Sequence, residues 1–372
     1  MSVESDSIQL DITSERNSSS PEILGFPANS LSDPISAPPC TTSVHSLPTE
    51  IIAEIFEKFV PDYPECRPHT ATSSPNSLTQ ICGRWRQIAL SMPYLWRAIG
   101  IEIEDDDSDC SMAQKLEVLE TWLLRSGVCP LSIRLHYTST RLIHDLFPPF
   151  MHAIVRHCHR WEYLDLIMPH GSLHLIEGKM PLLKKVEIGP SFLTDGDEPS
   201  ISLFSDAPLL TRAVLGLHFL LQTTHLPWAR LQHLTGLRLY DYECLQILRY
   251  APDLISFAVV ELAELELVHS GGLEEITHTR LRSMVLCVSG EEWTADLETL
   301  MDLLTLPALQ TLELSETDFF ADDDLREPVK ALLSRSGCVL DSLRIHGAKS
   351  SKNAYHNALG PLVKTVTICS SL

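Results

Sequence analysis

Trp161-Glu-Tyr-Leu164-Asp-Leu166, Leu183-Lys-Lys-Val186-Glu-Ile188, Leu210-Thr-Arg-Ala213-Val-Leu215 and Leu234-Thr-Gly-Leu237-Arg-Leu239 share one phrase: a large apolar residue, two others, an apolar residue, one other, an apolar residue. The phrase returns in Leu254…Phe257…Val259, Leu281…Met284…Leu286, Leu309…Leu312…Leu314, Leu340…Leu343…Ile345 and Val363…Val366…Ile368. Alternation at its last two apolar positions marks a short strand with one buried face, and the leading residue packs beneath as the chain turns in. Successive phrases begin 22, 27, 24, 20, 27, 28, 31 and 23 residues apart. Segments with helical character, 296–304 and 326–334, lie between them. A longer echo joins Leu124-Arg-Ser-Gly127 through Leu135 to Ser334-Arg-Ser-Gly337 through Ile345, each reading as helix, glycine cap, strand. It extends the pattern upstream to strands at 99–103 and 133–135.

Most of these steps fall within the period of about 20–29 residues typical of leucine-rich repeats, which the region therefore resembles. It lacks the regular Asn or Cys after the strand that a strict repeat carries. The alternative is an ordinary α/β domain with Leu-rich strands; nine similar phrases favour the solenoid. In a solenoid the residue between the paired apolar positions faces outward on a concave surface. Asp165, Glu187, Val214, Arg238, Val285, Glu313 and Arg344 would lie there, and the charged ones, Asp165, Glu187, Arg238, Glu313 and Arg344, are the candidate contacts to a protein substrate.

The chain has 372 residues, 28 basic against 49 acidic side chains, a net charge of −21 and 44% hydrophobic residues. A chain of that size and apolar content builds a large core, which excludes pervasive disorder. The carboxylate excess argues against nucleic acid as a partner. Residues 1–44 are rich in Ser, Thr and Pro, with Phe26 their one aromatic, so a disordered tail is expected there, a plain spacer or a phosphorylated arm. Ten cysteines without any C-x-x-C pair read as reduced thiols of the cytoplasm or nucleus. No secretory signal opens the sequence and no run of 18 apolar residues occurs, so neither export nor a membrane partner is expected.

Between tail and strands, Pro48 and Glu50 suit a helix start, and Ile51, Ile52, Ile55, Phe56 and Phe59 recur at helical spacing until Pro61. Prolines at 61, 64, 68 and 75 mark a loop. A second helix is expected from Ser77, with Gln80 completing a capping box, through Ala89. Gly83 would lie inside it at a cost of about 1 kcal/mol, and Pro93 closes it.

These residues resemble an F-box, the module by which substrate receptors join cullin-RING ubiquitin ligases. The likeness rests on Leu47-Pro48-Thr-Glu50-Ile51-Ile-Ala-Glu-Ile55-Phe56, then Ile81-Cys82-Gly-Arg84-Trp85-Arg86-Gln-Ile88-Ala89, then Pro93-Tyr-Leu95-Trp96, in that order. The stretch from Trp122 is similar to the region downstream of the F-box in many fungal F-box proteins with leucine-rich-like C-terminal halves. The loop after Pro61 is longer than the usual F-box link. The resemblance implies a Skp-type adaptor, and through it a cullin, held by Leu47, Pro48, Ile51, Ile55, Phe56, Ile81, Cys82 and Trp85, with Ile52, Ile88 and Trp96 as core. It implies a non-catalytic receptor; the alternative is a repeat scaffold that never joins a ligase. The expected class is thus α+β or α/β, a helical F-box over 45–97 followed by an irregular leucine-rich-repeat-like solenoid over 98–372.

No G-x-G-x-x-G, Walker loop, G-x-S-x-G or H-E-x-x-H is present. His157-Cys158-His159, His170 with His174, and Cys66-x-x-His69 with Cys82 fall short of a ligand set, so no metal, cofactor or catalytic residue is expected. The acidic run Glu102–Asp109 reads as a solvated loop.

Overall fold

A computed structural model describes residues 46–66, 68–139, 147–191, 200–263, 274–287, 297–315 and 325–369, so the tail expected at 1–44 lies outside the described residues. Each of the alternating phrases contributes a strand. The strands are β1 (Ala98–Ile103), β2 (Leu131–Tyr137), β3 (Trp161–Met168), β4 (Lys185–Pro190), β5 (Ile201–Ser202), β6 (Arg212–Leu215), β7 (Thr224–His225) and β8 (His233–Tyr240). They continue with β9 (Ser256–Ala263), β10 (Ile276–Thr277), β11 (Ser283–Leu286), β12 (Leu304–Thr305), β13 (Thr311–Ser315), β14 (Ser342–His346) and β15 (Val366–Cys369). Eleven of them form one sheet in the order β1-β2-β3-β4-β6-β8-β9-β11-β13-β14-β15. Neighbours in it are parallel throughout, and β5 with β7 and β10 with β12 make separate two-stranded parallel sheets.

The helices are α1 (Thr49–Phe59), α2 (Pro75–Ile81), α3 (Gly83–Leu90), α4 (Asp109–Arg125), α5 (Pro148–Val155), α6 (Asp241–Tyr250), α7 (Leu297–Asp302), α8 (Arg326–Ser336) and α9 (Lys352–Leu359). Parallel neighbours need a crossover, and here the crossovers differ from one another. The 17-residue α4 joins β1 to β2, whereas a six-residue 3-10 turn, His170–Leu175, lies between β3 and β4. The face carrying Ile99, Ile133, Leu164, Val186, Phe257, Met284, Leu312 and Leu343 is buried, and the inward residues of the helices complete that core. Gly127 and Gly337, which follow α4 and α8, both adopt positive φ, the left-handed turn that the echo in the sequence marks.

This is an α/β fold built on one large parallel sheet, and it corrects the expected class, a helical F-box followed by an irregular leucine-rich-repeat-like solenoid. The sheet is continuous across its 11 strands, but among the described residues the segments between strands carry no constant unit: long helix, short helix, 3-10 turn or two-residue strand. Alternating apolar residues specify a strand; they do not specify that the connection repeats. The ordinary α/β alternative is the one the chain takes. Nor do the N-terminal helices stand apart, because the compact unit that holds the sheet begins at Pro48 and runs to Leu372.

Local chemistry explains where those helices end. Val60 turns extended ahead of Pro61 and closes α1. The second helix begins earlier than Ser77, at Pro75, because Ser74 Oγ accepts the Asn76 N–H at 3.2 Å and proline suits the first helical position. It also breaks, since Cys82 is extended (φ −159°, ψ 168°) and its Sγ accepts the Trp85 N–H at 3.5 Å. Gly83 therefore opens α3 and does not sit inside a helix. After α3, Trp96 is fully buried, its Nε1 donating to Ala89 O at 2.9 Å and its ring edge-to-face with Trp122 of α4 at 4.9 Å.

Candidate functional site

Two surfaces carry the residues singled out by sequence. The first is the outer side of α1 to α3. Ile51, Ile55 and Phe59 are spaced i, i+4, i+8 on α1, and together with Ile81 and Leu90 each keeps at least 39% of its surface exposed. Pro48 is exposed, while Leu47, Cys82 and Trp85 are half-buried. Phe56 is not on this surface: it is fully buried and meets the Trp85 ring edge-on at 4.9 Å. The helix is apolar on two adjacent sides, so spacing alone did not separate Phe56, which faces Ile52 and the interior, from Ile55, which faces out. Phe59 completes the exposed stripe, although it was not among the residues expected to meet an adaptor; Leu90, the last residue of α3, carried no periodic signal.

The second surface is the face of the sheet opposite the core. The strand register places Gly100, Arg134, Asp165, Glu187, Val214, Thr235, Ala258, Val285, Glu313, Arg344 and Thr367 in one row across all 11 strands. At about 4.8 Å per strand the row is roughly 48 Å long. Asp165, Glu187, Val214, Val285, Glu313 and Arg344 all lie in it. Arg238 does not. Leu234 pairs with Ala213 and Phe257, so the phrase in β8 starts at buried Leu231, three residues earlier than the reading from Leu234. Thr235 takes the row position, and Arg238 instead faces Glu261, Nε to Oε1 3.4 Å.

Two carboxylates on this face, Asp165 and Glu313, each lie between an arginine and a histidine. Asp165 accepts from Arg134 Nε at 2.7 Å, and its other oxygen lies 2.7 Å from His136 Nε2. Glu313 repeats the arrangement near the far edge, with His346 Nε2 at 2.7 Å and Arg344 Nη1 at 3.6 Å. Burial alone would raise the Asp165 carboxyl, but the contacts to His136 and Arg134 outweigh it and hold the group below the usual carboxylate range. Glu187 behaves oppositely: burial, and the charge of Asp165 beside it, push its carboxyl up. Arg134, His136 and His346 were missed; Arg134 could have been found, because it occupies the outward position in Ile133-Arg134-Leu135.

The proline-rich loop after α1 does more than link helices. Tyr63 OH donates to Glu162 Oε2 at 2.8 Å, and the Arg97 guanidinium lies 4.0 Å from the centre of the Tyr63 ring. Ser132 Oγ donates to Pro64 O at 2.6 Å, Arg134 Nη1 donates to Cys66 O at 3.0 Å, and Pro68 forms a parallel bridge with Gly100. The loop is thus laid on β1 to β3 and fastened there. Burial raises the Cys66 thiol, which sits 3.1 Å from Ser132 Oγ. Beneath the loop a cavity of about 410 Å³ opens on β2, β3 and β4, and a second of about 370 Å³ lies between the end of α1, Arg97 and Trp122.

The acidic run is less solvated than its composition suggests. Asp107 is buried, with Lys115 Nζ and Ser111 Oγ each at 2.6 Å and the Glu104 N–H at 2.9 Å. His170, one of the histidines weighed as a ligand, is buried among the connections. Among the described residues no group of three or more His, Cys, Asp or Glu side chains is placed to hold a metal ion, and no helix is long and apolar enough to cross a membrane.

What these features define is an α/β protein with an apolar helical surface at one end and a charged, open sheet face. No protein-family model matches the chain, and no curated protein matches it either.

Proposed function

We propose that this chain is the substrate-receptor subunit of an SCF-type cullin-RING ubiquitin ligase, working in the cytoplasm or nucleus. The exposed apolar side of α1 to α3 docks a Skp-type adaptor, and through it a cullin, and the open sheet face receives a protein substrate. The observation that carries this reading is the Ile51, Ile55, Phe59 stripe. The helices already have an interior of Ile52, Phe56, Ile88 and Trp96, so the stripe is surplus apolar surface of the kind that meets a helical or grooved partner. The F-box likeness of Leu47-Pro48, Cys82-x-x-Trp85-Arg86 and Pro93-x-Leu95-Trp96 supports the same partner. In this role the chain is not an enzyme and needs no cofactor. It supplies proximity, raising the effective concentration of substrate at the ligase, and its acidity turns away nucleic acid.

Co-purification with a Skp-type adaptor tests the reading. Burying each isoleucine is worth about 1.5–3 kcal/mol, so Ile51→Glu with Ile55→Glu should weaken adaptor binding at least about 100-fold while circular dichroism stays unchanged. A well-folded native chain that captures no adaptor would replace the receptor reading with a ligase-independent scaffold for protein–protein interaction.

A further inference from the structure

We infer that the cavity beneath the Asp62–Cys66 loop captures a basic side chain of the substrate, with arginine favoured over lysine; this rests on the proposal that the open sheet face receives substrate. The cavity of about 410 Å³ is lined by the carboxylates of Asp62, Glu65, Asp165 and Glu187 against the cations of Arg134 and Lys185. The cations are unevenly committed. Arg134 is taken up by Asp165 at 2.7 Å and by Cys66 O at 3.0 Å. Glu187, on the neighbouring strand, is directly in register with Asp165, and like charges so placed repel. Its neighbour on the other side is Val214, which offers no polar group. Among the described residues its ion pair is with Lys185 Nζ at 3.7 Å, from a half-exposed side chain. Glu187 is therefore a partly desolvated carboxylate beside a second carboxylate; Lys185, and at longer range His136 and Arg134, offset this in part, and a further cation placed between the two carboxylates offsets the repulsion that remains.

The walls favour a long side chain with a planar end. Tyr163 lines the cavity on β3, two residues before Asp165, with Tyr63 edge-on to it at a centroid distance of 5.5 Å. Arg97 already covers the Tyr63 ring, which leaves Tyr163 to pack against an aliphatic stem and the cation it carries. A guanidinium presents parallel N–H donors that can bridge neighbouring carboxylates, where an ammonium is a point charge. An acidic or phosphorylated segment would meet the carboxylate excess and be repelled.

The experiment titrates the full-length protein, by fluorescence anisotropy at low salt, into labelled heptapeptide pools with Arg, Lys, citrulline or Glu fixed at the centre. Citrulline keeps the shape of arginine without its charge. The Arg pool should bind at least about tenfold tighter than the citrulline pool, with Lys between and Glu weakest. Glu187→Gln should bring Arg to within about threefold of citrulline, while Glu327→Gln, exposed on α8, leaves the preference intact. Circular dichroism checks the fold of each variant. Absence of binding by every pool, equal binding of Arg and citrulline, or an unchanged preference in Glu187→Gln each overturns the inference. Adaptor co-purification separates the two readings: an arginine preference in a chain that captures no adaptor upholds the pocket and removes the ligase.

Discussion

Replacing Glu243 by Gln should stabilise the protein in alkaline solution and do much less in acid. Glu243 is the third residue of α6 and only 5% exposed, and its Oε2 accepts the Tyr240 N–H at 3.1 Å. Burial pushes its carboxyl up to about 7, with Asp241 adding to the rise and the Tyr240 N–H opposing it. In the unfolded chain the same group titrates near about 4.3. A raised carboxyl favours folding only while protonated, so stability is full below about pH 4, declines as pH rises to about 7, and is level beyond. Against an unperturbed carboxyl, Glu243 therefore costs about 3–4 kcal/mol at pH 8, where it is ionised, and about 1 kcal/mol at pH 5, where folding must keep it protonated. Glutamine keeps the acceptor for Tyr240 and never ionises. Urea unfolding at the two pH values should show Glu243→Gln ahead of the native protein by about 2–3 kcal/mol more at pH 8 than at pH 5. An equal difference at both values would refute the argument, since a packing effect is indifferent to pH.

Three other carboxylates titrate in the opposite sense and fix the acid limit. Burial raises Asp107, Glu162 and Asp165, but Lys115, Lys184 with Tyr63, and His136 with Arg134 respectively outweigh it and hold each group low. Their contribution is present above the unfolded value near about 4 and is lost as pH falls through the lowered ones, so the melting temperature should drop steeply there, and less steeply in Asp107→Asn. Arg160 is buried at the end of α4, where its Nη atoms donate to Ser126 Oγ at 3.2 Å, Cys129 O and Leu123 O at 3.4 Å each, and Gly127 O. Arg160→Met should cost about 2–4 kcal/mol in urea unfolding, because the helix carbonyls lose their donors; Arg160→Lys should not restore it, since one ammonium does not reach four acceptors.

The strands were legible because alternation is a local property, written in each phrase separately. Their grouping was not. Leu231, Leu234, Leu237 and Leu239 offer β8 more than one frame, and Ala213 and Phe257 on the flanking strands decide it; that choice moved Arg238 out of the row. The same limit hid the class of fold, since the phrases state where strands are but not that one crossover is a long helix and the next a short turn. Prolines at 61, 64 and 68 announced a loop, yet nothing in them says that Tyr63 reaches Glu162, 99 residues on. Half of the candidate site came from alternation, as Asp165 and Glu187 did, and the missing half, Arg134, His136 and the loop above them, came from contacts between distant segments.

The bridge between Pro68 and Gly100 also decides how copies of the chain can associate. A sheet grows into a filament only if both of its edge strands accept another, and the loop occupies the β1 edge at Gly100. Proline has no N–H to pass on, so Pro68 ends the hydrogen-bond ladder where it sits. Among the described residues nothing pairs with the outer edge of β15. Edge-to-edge pairing is thereby directed to β15, where two copies can join once through that strand, while the interrupted β1 edge works against growth into a fibre.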